Sequence, residues 1–101
     1  MKVLNKEEYE NLVLKTEGVA FVDFYADWCG PCRMLTPILE QVETEVKVPM
    51  FKLNIDNCDD IARSLGIMSI PTMIVFKQGK EQERIIGLKS KEDIINLLKK
   101  Y

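Results

Sequence analysis

An apolar run, Phe21-Val22-Asp23-Phe24-Tyr25-Ala26, leads into Trp28-Cys29-Gly30-Pro31-Cys32, and a helical pattern starts where that segment ends. Few folds accommodate such a junction. Ala20 to Ala26 is too uniformly apolar for a strand with one wet face, so it reads as a strand buried on both sides. From Pro31 to about Val46, apolar residues recur at Leu35, Ile38, Leu39, Val42 and Val46, the spacing of one helix face. Pro31 loses nothing in the first turn, because an N–H there would be unpaired anyway. Pro37, inside the pattern, is expected to kink the helix. The cysteines thus flank the start of a helix. A dithiol at this spacing can close on itself as a small-ring disulfide. A helix N-terminus also pushes a sulfur toward thiolate, the form that attacks disulfides.

Along the rest of the chain, helix and strand periodicities alternate, which argues an α/β class. Lys2-Val3-Leu4 reads as a short edge strand. Asn5 and Glu8 have capping-box spacing ahead of Tyr9, Leu12, Val13 and Thr16, and Gly18 ends that helix. Met50 to Ile55 reads as a strand, Asp59 to Leu65 as a short helix stopped at Gly66, and Thr72 to Phe76 as a strand. Lys77-Gln78-Gly79-Lys80 is expected to turn into a partner strand from Glu83 to Gly87. Ser90 and Asp93 open a last helix that carries Ile94, Ile95, Leu97 and Leu98. The expected order is βαβαβαββα in one domain spanning residues 1–101. A helix after each of the first three strands predicts right-handed crossovers and parallel pairing. The closing hairpin must be antiparallel. The expected architecture is a central mixed five-stranded sheet with helices on both faces.

Composition removes several functions. A net charge of -2 offers no footprint for nucleic acid or an anionic membrane. No run approaches the ~18 apolar residues of a membrane span. Met1-Lys2-Val3-Leu4-Asn5-Lys6-Glu7-Glu8 brings charge too early for the apolar region of a signal peptide, so a cytoplasmic location is expected. The chain has no histidine, which excludes Cys–His and Ser–His–Asp nucleophiles and Cys2His2 zinc sites. Its cysteines number 3, and an odd count argues against a purely structural disulfide framework. In a reducing compartment, Cys-x-x-Cys reads as redox-active or metal-binding. Cys58 lies outside the pair and reads first as a bystander thiol. Regulatory oxidation, intermolecular pairing and a share in a metal site are its other readings. Asp23 is the one carboxylate in the apolar run, and desolvation there should raise its pKa.

The blocks Val22-Asp23-Phe24-Tyr25-Ala26, Trp28-Cys29-Gly30-Pro31-Cys32, Lys52-Leu53-Asn54-Ile55-Asp56 and Ile70-Pro71-Thr72, with Gly79 and Gly87, resemble the thioredoxin family in order and over the whole chain. The resemblance implies the thioredoxin fold and protein-disulfide reduction. Cys29 would attack a target disulfide, Cys32 would resolve the mixed disulfide, and the two would alternate between dithiol and disulfide. Gly30 and Pro31 carry no charge and should set a low, reducing potential. Asp23 would lie behind Cys32 and take its proton, with Lys52 steadying the carboxylate. Pro71 would follow a cis bond. Trp28, Ile70, Pro71 and Gly87 would meet the substrate. No cofactor or metal is implied. Electrons would come from a thioredoxin reductase, expected to be a flavoprotein, and pass to oxidised proteins from a monomer. Ser69 stands where the family commonly has glycine, and Cys58 is not part of the shared motif.

Overall fold

The computed structural model describes residues 1–101 and places Val19–Tyr25 (β2) at the centre of a five-stranded sheet. Every interior residue of β2 is buried, as its apolar character requires. On one side it pairs in parallel with Met50–Asn54 (β3), which pairs in parallel with the edge strand Lys2–Val3 (β1). On the other side it pairs antiparallel with Thr72–Lys77 (β4), and β4 pairs antiparallel with Lys80–Ile86 (β5). Spatial order is β1-β3-β2-β4-β5.

Alternation along β2 feeds two cores. Ala20, Val22 and Phe24 pack with Tyr9, Val13 and Ile61, beneath the first and third helical segments. Phe21 packs with Leu35, Leu39 and Val42 of Gly30–Glu43 (α2) and with Ile94 and Leu98 of Lys91–Leu98 (α4). Asp23 and Tyr25 share the parity of Phe21, so they face the α2 layer. Each fully buried Leu, Val or Phe contributes about 1.5–3 kcal/mol. That is ample to hold a single polar intruder in place.

The mixed sheet with helices on both faces agrees with the sequence reading, but the third crossover does not. β4 runs antiparallel to β2, although a helix, Asp59–Ser64 (α3), separates β3 from β4. With 6 residues, α3 rises only about 9 Å, too little to carry the chain back along the sheet. The chain re-enters at the end it left, where Thr72 pairs with Phe24. The first two crossovers are parallel, as read.

Other boundaries shift for local reasons. Asn5 and Glu8 form the full capping box at the start of Lys6–Tyr9 (α1). The helix then widens into a π turn, Glu10–Leu14, and stops short of Thr16. At that point the hairpin turn crosses it so closely that a Cβ on Gly79 would lie 2.1 Å from the Leu14 carbonyl oxygen. α2 ends at Glu43 instead of Val46, because the Thr44 hydroxyl donates to the Gln41 carbonyl (2.7 Å) and competes with the helical bond. β3 closes at Asn54 instead of Ile55. The β4–β5 hairpin pairs from Lys77 and Lys80 outward, so β5 begins at Lys80 and not at Glu83. Gln78 and Gly79 both take positive φ (53° and 76°), the two-residue turn whose twist matches the strands. No helix is long and apolar enough to cross a membrane.

Candidate active site

β2 delivers the chain to the edge of the sheet, and α2 starts there with Cys29 as its N-cap. Cys29 has extended backbone, and its Sγ accepts a hydrogen bond from the Cys32 N–H (3.1 Å). A sulfur thus takes the part that a Ser or Asp oxygen plays at most helix starts. Gly30 and Pro31 fill the first turn, where proline fits without loss. The helix begins at Gly30, one residue before the sequence reading. Cys29 and Cys32 are joined as a disulfide, with Cα atoms 5.2 Å apart.

The two sulfurs have different surroundings. Cys29 borders an open groove of about 430 Å³, lined by Trp28, Gly30, Pro31, Ile55, Ile67, Met68, Ser69 and Ile70. None of those side chains is charged. Met68 stands 97% exposed at its rim. Trp28 is 67% exposed, and its Nε1–H donates to Asp56 Oδ2 (2.9 Å), which fixes the indole across the mouth. The Ile70–Pro71 bond is cis, and the Ile70 carbonyl oxygen lies 3.8 Å from Cys29 Sγ. Gly87 does not line the groove. Its N–H donates to the Pro71 carbonyl (2.8 Å), and its φ of 93° is one that glycine adopts without strain. The Thr72 hydroxyl donates to the Ser69 carbonyl (2.7 Å), so both flanks of the cis bond are braced.

Cys32 opens on the opposite side. It borders a second cavity of about 350 Å³ with Tyr25, Ala26, Asp27, Arg33, Thr36 and Lys52. Asp23 is 0% exposed, and neither carboxyl oxygen has a hydrogen-bond partner. Burial pushes its pKa up to about 7, with the Lys52 ammonium pulling the other way. Asp23 and Lys52 are register partners on β2 and β3. Lys52 Nζ does not reach the carboxylate. It donates to Thr36 Oγ1 (3.4 Å) and sits 4.4 Å from the centre of the Tyr25 ring.

The folded chain therefore brings Trp28, Cys29, Gly30, Pro31 and Ile70 to one opening, with Pro71 and Gly87 bracing it from behind, and sets Cys32, Asp23 and Lys52 on the other side. Sequence reasoning missed Asp56 and Thr36. Asp56 ends a block already singled out, so its pairing with Trp28 had a signal in the chain. Thr36 had none, since one hydroxyl on a helix face is commonplace. Cys58 is buried in the core on the other face of the sheet, away from the pair, and burial raises its pKa. No group of three Cys, Asp or Glu side chains is assembled that could hold a metal ion.

The family model described as Thioredoxin matches residues 1–100. A thioredoxin of Chlamydia caviae is 44% identical across 100% of this chain and 98% of its own length. A chloroplastic M-type thioredoxin of Triticum aestivum is 37% identical across 98% of this chain and 58% of its own length. Among solved structures, a single-site mutant of a thioredoxin from Halobacterium salinarum NRC-1 superposes with a TM-score of 0.90 at 29% identity, covering 99% of this chain and 88% of that one. With its Cys29–Cys32 pair capping a helix, the chain belongs to the thioredoxin family of thiol-disulfide oxidoreductases.

Proposed function

We propose that this protein is a general protein-disulfide reductase, working as a single-domain monomer in the cytoplasm without a bound cofactor. The observation that carries the reading is the hydrogen bond from the Cys32 N–H to Cys29 Sγ at the start of α2. Unpaired N–H groups and the positive end of the helix favour a thiolate at that sulfur once the pair is reduced.

The reduced Cys29 thiolate attacks one sulfur of a target disulfide. A Cys29–target bond forms, the target S–S bond breaks, and the other target sulfur leaves as a thiolate that takes a proton from solvent. Cys32 then loses its proton and attacks Cys29 Sγ. The Cys29–Cys32 bond forms, and the target leaves with its second thiol. The target gains two electrons and this chain loses two. On this reading Asp23, its pKa raised by burial to about 7, receives the Cys32 proton through water. Its pKa of about 7 lets it accept and return a proton at neutral pH. Lys52 keeps the carboxylate from becoming too costly to ionise.

Trp28, Ile70 and Pro71 form the surface for an extended target segment, and Gly87 braces Pro71. Backbone groups beside the cis bond are suited to pair with such a strand. Electrons return from a thioredoxin reductase, a flavoprotein. The direct test is insulin disulfide reduction with dithiothreitol, then with a purified flavoprotein reductase and its nicotinamide donor. Turnover by the parent and none by Cys29→Ser supports the reading. Equal turnover by both removes it.

A further inference from the structure

Behind the disulfide, one hydroxyl links two parts of the site. Thr36 lies on α2, one turn after Cys32, and its Oγ1–H donates to the Cys32 carbonyl (3.2 Å). The same oxygen accepts from Lys52 Nζ (3.4 Å). Lys52 is thus held from two directions, by that hydroxyl and by the Tyr25 ring under its ammonium. It makes no ion pair with any carboxylate. A lysine on such a flexible stem would otherwise extend into the rear cavity, which it lines with Arg33 and Asp27.

We propose that Thr36 is a positioning residue for the reaction, tying the Lys52 ammonium to the backbone of Cys32 so that its charge stays beside Asp23. The proposal rests on the reading of Asp23 as proton acceptor. The ionisable and charged groups on the elements around Asp23 are few. β3 contributes Lys52, α2 contributes Cys32 and Arg33, and Tyr25 and Asp27 follow in the same chain segment. β4 sets Met73 opposite Asp23, and α4 turns Ile94, Leu97 and Leu98 inward, none of them charged. Arg33 is committed elsewhere, donating to the Asp27 carbonyl (2.8 Å). Lys52 is therefore the cation whose place decides how readily Asp23 ionises, and Thr36 is the side chain that sets its place.

The test is a carboxyl NMR titration of Asp23 in the oxidised protein, paired with the pH profile of mixed-disulfide resolution. Lys52→Met should move the Asp23 midpoint up by about one pH unit, and Thr36→Val by about half a unit in the same direction. Below the midpoint, the Thr36→Val shift should slow resolution about threefold. Thr36→Ser, which keeps the hydroxyl, should restore both values. In the Lys52→Met background, Thr36→Val should add nothing, because the charge it positions is gone. A midpoint unmoved by Thr36→Val, or moved equally with and without Lys52, overturns the proposal while leaving Asp23 its role. If the midpoint moves but the resolution profile ignores it, and Asp23→Asn also leaves that profile unchanged, Asp23 is not the proton acceptor and Thr36 loses its part in the reaction.

Discussion

The two sides of the Cys29–Cys32 bond differ in kind. In front of Cys29 the walls are neutral and largely apolar, from Trp28 round to Met68 and Ile70. Around the cavity behind Cys32 lie the Asp27 carboxylate, a tethered ammonium, a guanidinium and two hydroxyl-bearing side chains, with Asp23 buried on the α2-facing side of β2. The sulfurs are adjacent in space, so distance cannot separate their tasks. Environment does. The front side excludes charge and suits capture of a strand by shape and apolar contact. The rear side gathers the ionisable groups.

The contrast can be broken from either side. The largest effect is expected at the sulfurs themselves. Cys29→Ser should abolish insulin reduction, whereas Cys32→Ser should still attack and then stall, leaving a long-lived mixed disulfide that mass spectrometry detects. Rapid release of target by Cys32→Ser would mean that the rear side takes no part in resolution.

Next in size is Asp23→Asn, which acts on the rear alone. It should slow resolution by about a hundredfold, the low end of what a lost general base costs, while first attack stays near the parent rate. The same carboxyl affects stability. Its folded pKa is about 7 against an ordinary value of 3.8, so the neutral form is favoured by folding. The contribution of Asp23 to stability is therefore full below about pH 4, falls as pH rises toward 7, and is flat above that, with a total change of roughly 4 kcal/mol. Asp23→Asn should remove this slope and unfold later than the parent at pH 8. Parallel denaturation curves for parent and variant across that range would show that burial does not perturb Asp23.

A smaller effect is expected in front. Trp28→Ala removes an exposed contact and frees Asp56, so KM for protein targets should rise several-fold with resolution unaltered, in line with about 1 kcal/mol of lost contact. A fall in the resolution step instead would join the two sides that the structure keeps apart. The smallest effect is that of salt. A groove without charged walls should bind neutral peptide disulfides with nearly the same KM at low and high ionic strength, measurable by steady-state kinetics.

The front of the site was more legible in the chain than the rear. Trp28 to Cys32 are contiguous, so their chemistry can be read from spacing, and the apolar run before them announces the central strand. Asp23 was legible for a related reason, as a charge where burial forbids one. The Asp56 bond to Trp28 and the Thr36 bond to Lys52 join residues far apart in the chain, and neither type is unusual at its position. The same limit applies to the fold. Periodicity located β4 correctly but could not give its direction, because direction depends on how far α3 and the following loop carry the chain. Gly79 was visible as a turn residue. That its bareness also makes room for the Leu14 carbonyl was not.

The proposed reaction depends on the start of α2 holding Cys29 as the ionised nucleophile. The reduced protein should be alkylated with iodoacetamide across a pH series, with the modified residue mapped by mass spectrometry. Modification should fall on Cys29 first, with a midpoint clearly below the ~8.5 of a free thiol. Preferential labelling of Cys32, or a Cys29 midpoint at or above the free-thiol value, would contradict it.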